Sequence, residues 1–202
     1  MMNPEPEIRR LLDVMPASGR MTTKLISKPE QRLVIDAPLP MPWMRDRPIY
    51  INFDFWSRLS RSQRDLLILR TVSWLGAVKW FQPNLNFGLV AAGLLGTGVE
   101  LMQQDFVGVA VASALSAIAA TQIWRNNHST SIELDADERA LQVAQRRGYS
   151  ETDAARSLLS AIESVAQFEK RPLSFIELLR GQSLRAIAGI SAIGIPEELR
   201  RE

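Results

Sequence analysis

The chain has 202 residues, 24 Lys+Arg against 22 Asp+Glu and a hydrophobic fraction of 46%, which suits one folded domain with an appendage and excludes intrinsic disorder. A net charge of +2 argues against nucleic-acid binding driven by bulk charge. With no Cys and a single His, His128, disulfides, thiolate chemistry and any site needing two imidazoles are excluded. Of the 24 basic residues, 20 are Arg, the cation better suited to ion pairs and anionic head groups.

Residues 1–19 read as an amphipathic helix, not a secretory signal, because Glu5, Glu7 and Asp13 interrupt any continuous apolar region. Asn3 is a capping residue, Pro4 suits the first helical position, and Glu5 and Glu7 sit where the helix dipole favours anions. Ile8, Leu11, Leu12 and Met15 share a face, and Pro16 and Gly19 stop the helix. Such a helix either packs on the body or lies on a membrane surface through Arg9 and Arg10.

Residues 22–27 and 31–36 are β-prone runs separated by Lys28-Pro29-Glu30, the pattern of a hairpin. Pro38, Pro40 and Pro42 make the next stretch extended, a rigid connector or a Pro-rich docking segment. Residues 48–52 form a third candidate strand. Ser60 and Gln63 have capping-box spacing and open a helix from Arg61 to about Phe81, with Leu66, Leu69, Ser73, Gly76 and Trp80 near one stripe.

Two apolar runs follow, Phe87 to Met102 with Glu100 as its one charge, and Phe106 to Trp124 with none. They are either an apolar hairpin buried in a soluble core or a pair of membrane-spanning helices. Their lengths lie near the short end of a span. Small residues such as Gly93, Gly96, Ala110 and Ala114 permit close helix approach, and Lys79, Arg125, Trp80 and Trp124 flank the pair, so the expectation is a transmembrane hairpin with the remaining mass cytoplasmic. Glu100 then is an intramembrane acid that faces a partner or reaches the interface. Beyond it, helices are expected over Thr130 to Arg147, ending at Gly148, then from a Ser150 cap, and over Ser174 to Arg180.

The order of elements, with Glu133-Leu134-Asp135-Ala136-Asp137 after the apolar pair, resembles the membrane-linked zinc metallopeptidases of the HtpX and CAAX-prenyl-protease type. Those enzymes carry HExxH on one helix and a third ligand in ExxAD on a later one. Counted from Ser60, the HExxH positions fall on Arg70, Thr71, Val72, Ser73 and Trp74. Both His positions and the general-base Glu are therefore replaced, and the resemblance implies a scaffold without zinc hydrolysis. A guanidinium can stand where the metal stood, so Arg70 is expected beside Glu133, Asp137 or both; the alternatives are a surface Arg70 and a solvated Glu133–Asp137 face. Residues 7–21 and 66–75 also resemble a small cyanobacterial membrane-protein family of unknown function, which implies a plasma- or thylakoid-membrane setting.

The expected fold is α+β, mostly α, with a small N-terminal sheet, a helical zincin-like body and a two-helix transmembrane hairpin. Its parts are an amphipathic helix at 1–19, a cytoplasmic domain over 20–84 plus 125–202, and the hairpin at 85–124. The expected function is a non-catalytic binding, regulatory or scaffolding partner in a membrane. It has no catalytic residue, metal ligand or cofactor, and its partners are a lipid bilayer and another protein. The alternatives are a membrane-complex subunit without metallopeptidase ancestry and an enzyme using Asp54, Asp65, Glu133 and Asp137 as a carboxylate site.

Overall fold

The computed structural model describes residues 3–41, 44, 46–78, 121 and 130–190. The chain divides into two compact units, Met1–Val78 with Thr130–Glu202, and Lys79–Ser129. Every described element belongs to the first.

Helix α1 (Pro4–Val14) opens on Asn3, whose Oδ1 accepts the Glu5 amide at 3.1 Å. Leu11 and Met15 are fully buried, so α1 packs on the body. Gly19 does not stop a helix as expected; it lies inside α2 (Ala17–Thr22) and is buried. A Cβ at Gly19 would stand 2.4 Å from Val72 Cγ1. The missing side chain is what lets α2 lie directly against the central helix.

Strands β1 (Thr23–Ser27), β2 (Ile35–Asp36) and β3 (Arg47–Ile51) form a sheet in the order β1-β3-β2. β3 runs parallel to β1 and antiparallel to β2. The expected hairpin of residues 22–27 with 31–36 therefore does not form. Its turn does exist, closed by Gln31 N to Lys28 O at 3.3 Å, but the two runs pair with β3 instead of with each other. Buried Asn52 explains the arrangement: its Nδ2 donates to Pro29 O and Gln31 O, both at 2.9 Å, pinning the turn to the end of β3. Ile49 and Ile51, both fully buried, make β3 the strand with most apolar surface to hide. Asn52 also caps α3 (Phe53–Trp56), its Oδ1 accepting Asp54 N at 3.0 Å.

Helix α4 (Arg61–Ala77) opens with the full Ser60/Gln63 capping box. It ends at Ala77, short of the expected Phe81. It is buried on nearly every side, not along one stripe: Leu66, Leu67, Ile68, Leu69, Val72, Trp74 and Leu75 are all covered, while Gly76 is exposed. Helices α5 (Thr130–Gln145) and α6 (Glu151–Phe168) supply most of that cover, and α7 (Phe175–Ile187) packs on α6 and α5. Gly148, at φ 93, turns the chain out of α5. Helix α7 runs past the expected Arg180, because Gly181 packs inside it with Leu159 Cδ1 3.5 Å from the position of its absent Cβ.

The expected transmembrane hairpin is corrected. Among the described residues no helix is long and apolar enough to cross a membrane. The segment read as that hairpin, 85–124, lies outside the described residues except for Thr121. Its runs are rich in Gly, Ala, Ser and Thr, which contribute far less to membrane insertion than Leu, Ile or Phe. The cytoplasmic placement, argued from charges flanking the hairpin, loses its basis with it.

Gly19→Ala is expected to destabilise the domain by about 1–3 kcal/mol, since β-branched Val72 has little freedom to yield. Urea unfolding followed by circular dichroism measures this.

Candidate functional site

Glu133 and Asp137 lie one turn apart on α5 and so share a face. Arg70 on α4 and Arg180 on α7 meet them there. Arg180 grips Asp137 with two hydrogen bonds, Nε to Oδ2 at 2.7 Å and Nη2 to Oδ1 at 2.8 Å, the bidentate geometry that a guanidinium offers a carboxylate. Arg70 Nη2 pairs with Glu133 Oε2, and Arg70 Nε stands 3.6 Å from Asp137 Oδ1. That last contact is an ion pair beyond hydrogen-bond range, and Nε has no hydrogen-bond partner. Asp137 and Arg180 are buried, and Arg70 and Glu133 nearly so. The set holds two cations and two anions, so the charge it encloses is balanced.

Burial, followed by the like charge of Arg180, pushes the Arg70 guanidinium down to about 9, against the pull of Asp137 and Glu177. It remains charged at neutral pH. A cleft of about 310 Å³ opens over the cluster, lined by Arg70, Thr71, Trp74, Glu133, Glu177 and Arg180 among others. Thr71, at the general-base position of the metallopeptidase pattern, donates its hydroxyl to Leu67 O at 2.8 Å. Among the described residues no group of three His, Cys, Asp or Glu could hold a metal ion.

Beside the cleft, Arg171 joins the end of α6 to the start of α7. Its Nε donates to Glu169 at 2.6 Å, and both terminal nitrogens donate to Glu177 at 2.7 Å. Glu169 also accepts the Val34 amide at 2.8 Å, which ties the sheet region to α6. Burial works to raise the Glu177 carboxyl, but Arg171 and the Ser174 amide outweigh it and hold the group at about 2.

A second charged set escaped sequence reasoning. Arg10 donates twice to Glu7, at 2.9 and 2.8 Å, and once to Asp65, at 2.5 Å. Arg64 donates to Glu7 at 2.8 Å, and Tyr149 Oη donates to Asp65 at 2.8 Å. Burial and then the Asp65 hydrogen bond push the Tyr149 hydroxyl up to about 12. The available signals were the three-residue spacing of Glu7 and Arg10 and an acid placed directly before the apolar run Leu66–Leu69. Arg10 thus faces the protein, whereas Arg9 is exposed and pairs with Glu5 at 3.8 Å.

The structure brings Arg70, Glu133 and Asp137 together. It does not gather Asp54, Asp65, Glu133 and Asp137 into one carboxylate site. Asp65 belongs to the Arg10 set, about 140° round α4 from Arg70, and Asp54 is exposed on α3. Glu100 and His128 lie outside the described residues.

Fold and site together define a mostly helical α+β domain whose polar interior is given over to ion pairs. The chain belongs to the family described as "Protein of unknown function (DUF3318)", whose model matches residues 9–149. It is similar to the thylakoid membrane protein slr1949 of Synechocystis sp., at 30% identity over 122 residues, 59% of this chain and 58% of the relative. The match thus spans little more than half the relative's length. No solved structure matches. The likeness to a cyanobacterial membrane-protein family is thereby supported, and the likeness to zinc metallopeptidases receives no support from these matches.

Replacing Arg180 with Met leaves buried Asp137 with only the longer Arg70 contact, and is expected to cost about 3–5 kcal/mol in urea unfolding. The pH dependence has a defined sign. Glu177 sits below its ordinary value of 4.5, so its contribution is complete above that pH and fades as pH falls from 4.5 through about 2. Unfolding measured across that window should show a loss of stability in the native chain that Glu177→Gln flattens.

Proposed function

We propose that this chain is a non-catalytic, membrane-associated protein that serves as a binding, regulatory or scaffolding partner in a cyanobacterial membrane. The observation that carries the non-catalytic part is the engagement of Glu133 and Asp137 by Arg70 and Arg180. Carboxylates that would serve as metal ligands or general bases are there occupied by guanidinium groups. Support for the membrane part comes from the relative, which is named as a thylakoid membrane protein. The presence of Arg70, Thr71 and Trp74 around the same cleft as Glu133 supports descent from a metallopeptidase-like scaffold. A second reading is a membrane-complex subunit without that ancestry; a family match that carries no metallopeptidase description and a relative named as a thylakoid membrane protein are compatible with it.

Two measurements check the proposal. In fractionated cells of the host, the protein should sediment with membranes, and recovery in the supernatant would contradict membrane association. The purified chain dialysed against Zn²⁺ or Mn²⁺ should retain well below one equivalent of metal. One full equivalent that disappears in Glu133→Gln would overturn the non-catalytic reading.

A further inference from the structure

We propose that the cleft walled by α2, α4 and α5 is a binding site for a phosphoryl-class oxyanion, held by Arg47, Arg139 and Arg146. The cleft has a volume of about 460 Å³, and no Asp or Glu is among the described residues that line it. Arg139 and Gln142 fall at i and i+3 on α5, and Arg146 follows in the turn just past its last residue, Gln145; all three line the cleft. Arg47 enters from the first position of β3, and its Nη1 donates to Leu75 O in the last turn of α4. That bond anchors one edge of the guanidinium while the residue still lines the cleft. Ser73 and Gln142 add neutral donors.

The contrast with the other arginines gives the argument its weight. Arg10, Arg64, Arg70, Arg171 and Arg180, all partly or fully buried, each meet a carboxylate within 4 Å. Arg47 is half-buried, yet among the described residues its side chain bonds to a neutral carbonyl. Arg139 and Arg146 are exposed at the cleft and have no carboxylate partner among the described residues, although Asp135 stands one turn before Arg139 on the same helix. In a chain with nearly as many acids as bases, three arginines therefore line one concavity that has no acidic residue among its described lining. A guanidinium fork matches the oxygen spacing of phosphate and binds it through charge-assisted hydrogen bonds. The oxyanion can be free or carried on a lipid head group. Met21, 86% exposed on α2, is placed on one of the cleft-forming helices to contact acyl chains in the second case.

The full chain should be titrated with inorganic phosphate, and pelleted with vesicles of phosphatidylcholine with and without phosphatidylglycerol. The cleft variant Arg139→Gln/Arg146→Gln is compared with Arg9→Gln/Arg32→Gln, which removes the same charge from exposed positions elsewhere. Unchanged far-ultraviolet circular dichroism and Tm establish that each variant is folded. The cleft pair should weaken binding by at least about tenfold and the control pair far less. Cleft-dependent binding of inorganic phosphate identifies a free anion. Cleft-dependent binding of anionic vesicles alone, reduced further by Met21→Ser, identifies a head group. Either result supports the site. Absence of binding to both probes, or equal losses in the two pairs, overturns it.

Discussion

A guanidinium that stays charged at neutral pH and is enclosed between helices must have carboxylates around it, and that requirement at Arg70 organises the centre of this molecule. It sets the rotation of α5, because Glu133 and Asp137 must both face α4. It also constrains α7, because Asp137 shared with Arg70 is completed by Arg180. Glu177, one turn before Arg180 on α7, is claimed by Arg171 and through it by the end of α6. Buried ion pairs of this kind are weak evidence for stability, since an apolar replacement of equal shape often serves as well. Their physical consequence is registry: few relative placements of α4, α5 and α7 satisfy all four groups. The Glu7, Arg10, Arg64 and Asp65 set does the same for α1 against the first turns of α4. Helix α4 is thus clamped by one charge-balanced set near its start and another at its middle.

This distribution of charge bears on function. A hydrolytic centre needs carboxylates free to take a metal or a proton. In this interior Glu7, Asp65, Glu133 and Asp137 are tied to arginines, which is the support for the non-catalytic proposal. The accessible clefts include one of mixed charge and one lined by Arg47, Arg139 and Arg146. The relative's name places a similar protein in the thylakoid membrane, a setting in which recognition surfaces on a compact domain have anionic head groups and membrane complexes to meet.

Local chemistry was legible in the sequence wherever one residue acts on its near neighbours. The caps at Asn3, Ser60 and Ser150 and the exit at Gly148 could all be read from spacing. The pairing of Glu133 with Asp137 on one face followed from their four-residue separation. The partners of those carboxylates did not follow from spacing; Arg70 was reached only through the alignment implied by a family resemblance, and Arg180 not at all. The strand order depended on Asn52, which holds a turn 21 to 23 residues away through its side-chain amide, and no local pattern announces such a bond. Periodicity misled at α4, because a helix covered from several directions carries apolar residues all round. The same ambiguity underlay the transmembrane hairpin: apolar runs of Gly and Ala report close packing without specifying what they pack against.

A double-mutant cycle between Arg70 and Glu133, read by urea unfolding of Arg70→Met, Glu133→Leu and the combined variant, tests the central cluster most directly. If the cluster acts as a unit, the combined variant is more stable than the sum of the single losses predicts, with a coupling of about 1–3 kcal/mol. Strictly additive losses would show that the two side chains do not depend on one another, and the account of a core organised by enclosed charge would fail.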